Sequence, residues 1–330
     1  MIKFGIVGLG RIGKVHLLNV QRYCDNAQIV AACPVSSKHL IFVQNQGIAE
    51  HYDSFDKMLE QSDIDAVIIA SPTAFHFEHI VKAAKAKKHI FCEKPIDLNF
   101  EKVNEIVSIV QASNIEFMLG FNRRFDPHVM QLKASVEAGK AGAARILKIS
   151  SRDPAPPPLE FVKHSGGLFL DMSIHDFDMA RYLVGSEVKE VVAHGAVFGD
   201  LPLQDYDDID TAVITLIFEN GCMVQIDNSR YNSYGYDQRI EYFGEKGSIS
   251  TQNLRENEVL IADEDGYHTA KARHFFIERY EESYRNIMID FINHLDRGTS
   301  PTITPNDGLK ALKIALAVKQ SFTENRAVQL

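Results

Sequence analysis

The sequence predicts a two-part α/β protein. Residues 1–120 read as a doubly wound parallel sheet, and residues 121–330 as an α+β region built on mainly antiparallel strands. Three observations carry this. Apolar β-like runs alternate with amphipathic helical runs through the first part, as in a parallel sheet covered on both faces. Beyond about residue 140, strand-like runs follow one another with turn signals between them, as in antiparallel pairing. A glycine-rich stretch, "GLGRIG" from Gly8 to Gly13, joins the first strand to the first helix.

In chain order, "KFGIVGLG" is a strand, "IGKVHLLNVQRY" a helix and "AQIVAAC" a second strand. "DAVIIAS", "HIFCEK" and "EFMLGF" are further strands, with "EHIVKAAKAK" and "FEKVNEIVSIVQASN" as helices between them. Right-handed crossovers make a doubly wound sheet the economical topology. Later, "AARILKISS", "VKEVVAHGAVF", "TAVITLIF", "CMVQIDNS" and "QRIEYFG" read as strands, with "FENGC" and "FGEKGS" as turns. The proline-rich "DPAPPPL" is a loop inside this region, because sheet-like sequence continues beyond it. The chain returns to helix in "YEESYRNIMIDFINHLDRG", ended by Gly298, and in a last helix with Thr304 as N-cap and Pro305 at its first position.

Composition excludes several classes. With 45% hydrophobic and 24% charged residues the chain is globular. A formal charge of −9 argues against a nucleic-acid partner. No apolar run approaches the roughly 20 residues that span a bilayer, and the N-terminus lacks a signal-peptide pattern. Cys24, Cys33, Cys92 and Cys222 have neither pairing nor zinc spacing. The expectation is a cytoplasmic protein with no membrane partner.

"GLGRIG" fits G-x-G-x-x-G between a strand and a helix, the context in which the motif has a mechanism. Gly8 permits the turn, Gly10 lets the backbone approach a pyrophosphate, and Gly13 lets the helix pack closely. The helix amides, with Arg11 and Ile12 first, then face the phosphates. This predicts a nucleotide-binding Rossmann domain. An acid usually ends the second strand and binds the adenosine ribose. Pro34 stands there instead, with Ser36, Ser37 and Lys38 following, so NAD and NADP both fit.

Ligands in such sheets sit outside the carboxyl ends of the strands. "CEKP" places Glu93 and Lys94 at that rim, and "SPTAFH" places Ser71, Thr73 and His76 there. In "GGLFLDMSIHDFDMARYL", Asp171, His175 and Asp178 have the spacing of one helical face. A metal site, a structural polar network and a proton-transfer site all fit that row. Zinc normally needs further His or Cys ligands, and none lie nearby, so no metal is expected.

Taken together, "GLGRIG", "SPTAFH", "CEKP", "GFNRRFDP" and "GGLFLDMSIHDFDMARYL" resemble the glucose-fructose oxidoreductase/inositol dehydrogenase/MocA family, in its order and over essentially the whole chain. "SRDPAPPP", "DMSIHDFDMARYL" and "YGYDQRIEYFGEKGS" are most similar to the family's bacterial inositol 2-dehydrogenases. The resemblance implies a C-terminal domain with a large open sheet that binds substrate and packs homo-oligomers, tetramers foremost. It also leaves room for the C-terminal helices to pack back on the first domain.

The implied activity is an NAD(P)-dependent dehydrogenase of inositol catabolism. A secondary hydroxyl of a cyclic polyol, most of all myo-inositol, gives up hydride and becomes a 2-keto-inositol, with NAD as the expected cofactor. Another sugar dehydrogenase, an NAD-dependent glycosidase and a non-catalytic nucleotide sensor are the alternatives. The family pattern assigns catalysis to Lys94, Asp171 and His175. Gly8, Gly10, Arg11, Ile12, Gly13, Ser71, Thr73, His76, Glu93 and Lys94 are expected at the cofactor. Arg123, Asp153 and Tyr234 are expected at the substrate, with Tyr236 the rival to Tyr234. Asn122 departs from the pattern, standing where well-studied members carry methionine.

Overall fold

A computed structural model describes the whole chain, Met1 to Leu330. It contains two compact units, Met1–Phe125 with Glu282–Leu312, and Asp126–Glu281 with Lys313–Leu330.

The first unit begins with β1 (Ile2–Val7), α1 (Arg11–Tyr23), β2 (Ala27–Cys33), α2 (Ser37–Asn45), β3 (Glu50–His51) and α3 (Phe55–Gln61). It continues through β4 (Ala66–Ile69), α4 (His76–Lys85), β5 (His89–Cys92), α5 (Phe100–Ser113) and β6 (Phe117–Leu119). The strands lie in the order β3-β2-β1-β4-β5-β6 and every pair is parallel. This is the doubly wound Rossmann order. Phe4, Ile6, Ile68 and Phe91 are completely buried, as a sheet covered on both faces requires.

The second unit contains α6 (Pro127–Glu137), β7 (Ala144–Arg152), α7 (Leu159–Ser165), α8 (Gly167–Asp171), α9 (Ile174–Val184), β8 (Val188–Ala196), β9 (Thr211–Phe218) and β10 (Met223–Ser229). It goes on with β11 (Asp237–Gly244), β12 (Gly247–Ser250), a small hairpin of β13 (Leu260–Asp263) and β14 (Gly266–Thr269), and α10 (Phe276–Arg279). The chain ends with α11 (Glu281–Arg297), α12 (Pro305–Glu324) and β15 (Val328–Gln329). Within the first unit, Phe291 of α11 packs against Phe4 and Phe91, with ring centroids 6.1 and 5.9 Å apart.

The large sheet runs β12-β11-β7-β10-β9-β8-β15 and is antiparallel except between β7 and β10. The runs read as successive strands do pair β8-β9-β10, but β7 enters between β10 and β11. Alternation gives this sheet two distinct faces. Leu147, Ile149, Ser151, Val224, Ile226 and Asn228 are buried on one. Val213, Met223 and Phe243 are exposed on the other. Helix α9 lies on the buried face, where Ser151 Oγ donates to Asp176 Oδ1 at 2.7 Å.

The Asp171–Asp178 stretch is not one helix. The amides of Met172 and Ser173 both turn back to the Leu168 carbonyl, each at 3.0 Å. This closes α8 at Asp171, and α9 starts at Ile174. The expected single row is therefore broken. Asp171 ends one helix, His175 lies in the first turn of the next, and both are half-buried, whereas Asp178 is buried. No helix is long and apolar enough to cross a membrane.

Candidate active site

The glycine loop has the packing its sequence predicts. Gly8 has φ +98°, and a Cβ there would lie 2.4 Å from the Ala70 carbonyl oxygen. A Cβ on Gly13 would lie 1.9 Å from the Gly8 carbonyl oxygen, so only glycine lets α1 close onto the loop. Gly10, the residue before α1, has no atom within 4 Å of its added Cβ. The loop is therefore packed tightly at both ends and open in the middle, where Arg11 and the first amides of α1 begin. Such a helix start suits a pyrophosphate, so the residues present fit a dinucleotide.

Two loops at the same strand ends are tied together by side chains. His76 is buried, with Nδ1 2.9 Å from the Pro95 carbonyl and Nε2 2.8 Å from the Ser71 carbonyl. The ring lies between the two carbonyls and its N–H donates to one of them, so His76 braces "SPTAFH" against the segment after Lys94. Ser71 Oγ lies 3.0 Å from Nδ1 of His79. Burial, with a smaller push from His76, lowers the His79 pKa to about 4. Thr73 lies half-buried in the short turn before α4.

Glu93 is buried too, its Oε1 accepting from His16 Nε2 at 2.6 Å and its Oε2 from the Lys94 amide at 3.2 Å. Gly120 makes room for it, since a Cβ there would come within 3.1 Å of Glu93. Glu93 and His76 thus hold the backbone around Lys94. The half-buried Lys94 side chain is the one these contacts present. His16 escaped sequence reasoning. Its signal was a lone histidine on the apolar face of α1.

The adenosine end differs from the usual acid-terminated strand. Pro34 is exposed directly after β2, and Ser36 precedes the first residue of α2. Burial and the nearby Lys14 and Lys38 lower the His39 pKa.

In the second unit, the buried Asp176 accepts from Ser151 Oγ at 2.7 Å and from Asn228 Nδ2 at 2.8 Å, while Ser173 Oγ donates to Asn228 Oδ1 at 2.5 Å. This network fastens the start of α9 to β7 and β10. Asp171 faces a cation that sequence reasoning also missed. The Arg230 Nη2 atom lies 3.7 Å from Asp171 Oδ2 and 3.9 Å from Asp208 Oδ2. Nothing in the spacing of "NSRYNS" announces it.

The expected substrate residues have different local surroundings. Asp153 is half-buried after β7, with its amide donating to the Ser229 carbonyl at 2.8 Å. Arg123 is buried in the first unit's turn after β6. Its neighbour Asn122 donates to Ser283 Oγ at 3.0 Å, and Arg124 pairs with Asp307 at 2.9 Å. Tyr234 is 43% exposed and its hydroxyl donates to Asp237 Oδ2 at 2.7 Å. Asp237 pairs in register with Arg152, whose Nε donates to Asp227 at 2.6 Å on the open face of the large sheet. Tyr234 is therefore held in this open-face cluster. Tyr236 is buried, edge-on to Tyr280 at 6.0 Å. The Tyr280 hydroxyl donates to Gln238, which Ser151 also contacts on the face that carries α9.

The fold and its loop define a dinucleotide-binding α/β protein. Residues 2–121 match the Gfo/Idh/MocA oxidoreductase family's NAD-binding Rossmann fold, and residues 133–330 match its C-terminal alpha/beta domain. The chain belongs to this family of oxidoreductases. It is 43% identical over 330 residues to the myo-inositol 2-dehydrogenase of Thermotoga maritima, covering 100% of this chain and 98% of that protein. It is 40% identical over 332 residues to the inositol 2-dehydrogenase of Rhizobium meliloti, covering 100% and 99%. The scyllo-inositol dehydrogenase of Lactobacillus casei, solved with NAD(H) and scyllo-inositol, superposes with a TM-score of 0.94 at 35% identity, over 100% of this chain and 99% of that one.

Proposed function

We propose that this protein oxidises a secondary hydroxyl of a cyclic polyol, myo-inositol foremost, with NAD as hydride acceptor. The observation that carries the reading is full-length likeness at 43% and 40% identity to two proteins named as inositol 2-dehydrogenases. Lys94, Asp171 and His175 supply the side-chain chemistry such a reaction needs.

The Gly8–Gly13 loop and the first amides of α1, with Arg11 and Ile12, would hold the dinucleotide, and Ser71 and Thr73 would border it. When bound, NAD accepts the hydride released from the substrate carbon. His175 takes the hydroxyl proton, a role that suits an imidazole near neutral pH. Asp171 orients that imidazole and balances its charge once protonated. The Lys94 ammonium stabilises the developing alkoxide. Glu93 and His76 act through the backbone as positioning residues. Asp153 and Arg123 remain candidates for substrate hydroxyls. Tyr236 replaces Tyr234 in that role, because it lies on the face that carries α9.

The open sheet face, with Val213, Met223 and Phe243 each at least 40% exposed, supports pairing with a second copy and a homotetramer built on such pairs. Four buried free cysteines support a reducing cytoplasm. The test is NADH formation by purified protein with myo-inositol, scyllo-inositol and glucose in parallel. Inositol-dependent reduction is the expected result. No reduction with any polyol, despite nucleotide binding, overturns the reading and favours a glycosidase or a sensor.

A further inference from the structure

Arg230, the residue after β10, is only 1% exposed. A buried guanidinium is costly unless opposite charges compensate it, and here two carboxylates do. Asp171 Oδ2 is 3.7 Å from Nη2 and Asp208 Oδ2 is 3.9 Å from the same atom. Neither Nη atom has a hydrogen-bond partner. These separations exceed a directional hydrogen bond, so the guanidinium acts on both acids through its charge.

The surroundings fix this arrangement. Asp208 Oδ1 accepts from the Leu168 amide at 2.7 Å and the Ile209 amide at 2.8 Å, anchoring the start of α8. A Cβ on Gly167 would come 2.7 Å from the same oxygen, and its φ of +83° also requires glycine. The Arg230 amide donates to the Asp210 carbonyl at 2.8 Å. The Asp210 carboxylate is occupied by the Phe198 and Gly199 amides and the Thr211 hydroxyl. Asp171 and Asp208 are thus the acids paired with the Arg230 guanidinium. Asp171 ends the short helix whose start Asp208 anchors, and His175 stands just beyond the following turn, in the first turn of α9, its amide donating to the Met172 carbonyl at 3.3 Å.

We infer that Arg230 is a positioning residue of the reaction, a buried counter-ion to Asp171 that acts through that carboxylate on the proton-transferring His175, with Asp208 moderating its charge. The inference rests on the roles proposed above for Asp171 and His175. Removing the cation makes His175 hold its proton more tightly. Removing the Asp208 charge leaves the cation less neutralised and does the opposite.

The test is the pH profile of kcat/KM for myo-inositol oxidation, with the His175 ring titrated by NMR in the same proteins and assigned with His175→Gln. Arg230→Gln should move the acidic limb and the His175 titration upward, by about tenfold in the ionisation constant. Asp208→Asn should move both downward, and Arg230→Lys should restore the wild-type position. Activity lost with neither the limb nor the titration displaced overturns the inference and leaves Arg230 a structural residue. If Arg230→Gln does not fold, the downward shift in Asp208→Asn decides. If the titration moves as expected but the wild type oxidises no polyol, the coupling stands and the dehydrogenase reading alone falls.

Discussion

His16 Nε2 donates to Glu93 Oε1 across 2.6 Å, with the histidine completely buried. That contact joins α1, which opens at the glycine loop, to the end of β5, which carries Lys94. The Phe91 and Tyr284 rings enclose the imidazole at 4.8 and 5.8 Å. Removing one partner of a buried polar pair typically costs about 3 kcal/mol. Glu93→Ala should therefore lower stability by about that amount in chemical denaturation. Because the Lys94 amide also loses its acceptor, kcat should fall further than the stability loss explains. Glu93→Gln, whose single amide oxygen can still accept from the Lys94 amide, should recover most of the kcat loss, with His16 meeting the amide nitrogen through its other tautomer.

The glycine loop makes a contrasting pair. Gly13→Ala forces a Cβ against the Gly8 carbonyl and should cost about 1–3 kcal/mol of stability, together with NADH binding. Gly10→Ala meets no protein atom, so its melting temperature should hold. Its NADH affinity, read by fluorescence, should still fall, because the methyl occupies the ligand's approach.

Substitutions at the reacting groups should separate chemistry from nucleotide binding. His175→Ala and Lys94→Ala should each reduce kcat/KM for inositol by about 10²–10⁴-fold. His175→Ala should leave the NADH dissociation constant within about twofold, since its proposed partner is the substrate proton. Equal losses in NADH binding would remove His175 from the proton-transfer role.

Cofactor choice should turn on one position. An acid after β2 would hydrogen-bond the ribose of NAD and repel a 2′-phosphate. Here Pro34 is followed by Ser36, Ser37 and Lys38. Pro34→Asp should raise the NAD-over-NADP ratio of kcat/KM by about tenfold or more. An unchanged ratio would mean that the strand end does not select the cofactor.

Acid should weaken the first unit through His79. Burial, followed by His76, holds its pKa near 4 against an ordinary 6.5. The unfolded chain therefore binds a proton that the folded one refuses between those values. The contribution is fully present above pH 6.5 and is lost as pH falls toward 4. Urea midpoints across that window should decline, and His79→Gln should flatten the decline.

What was legible in the sequence was local. The strand read at "TAVITLIF" is β9, Thr211–Phe218, because alternation is a property of neighbours. The glycine loop was legible because its context, strand before and helix after, is also local. The break between α8 and α9 was not, since it depends on two amides converging on the Leu168 carbonyl. Nor was the choice between Tyr234 and Tyr236. Alternation puts both on the same side of an ideal strand, but they precede β11, and their partners, Asp237 for one and Tyr280 for the other, separate them. Arg230 and the His16–Glu93 pair were invisible for the same reason. Each joins residues far apart in sequence, and only the topology of the sheets brings them together.

Helix α11 has a bearing on how the chain is made. The first unit's sheet is complete at Leu119, yet Phe4 and Phe91 pack against Phe291, and that unit also includes Glu282–Leu312. On the ribosome, the nucleotide-binding sheet emerges first and must wait for most of the remaining chain before its last apolar surface is covered. The first unit is closed by Glu282–Leu312 and the second only afterwards by Lys313–Leu330, so each waits on chain made later. Its earliest-made domain is the one that stays longest in need of protection from neighbouring nascent chains.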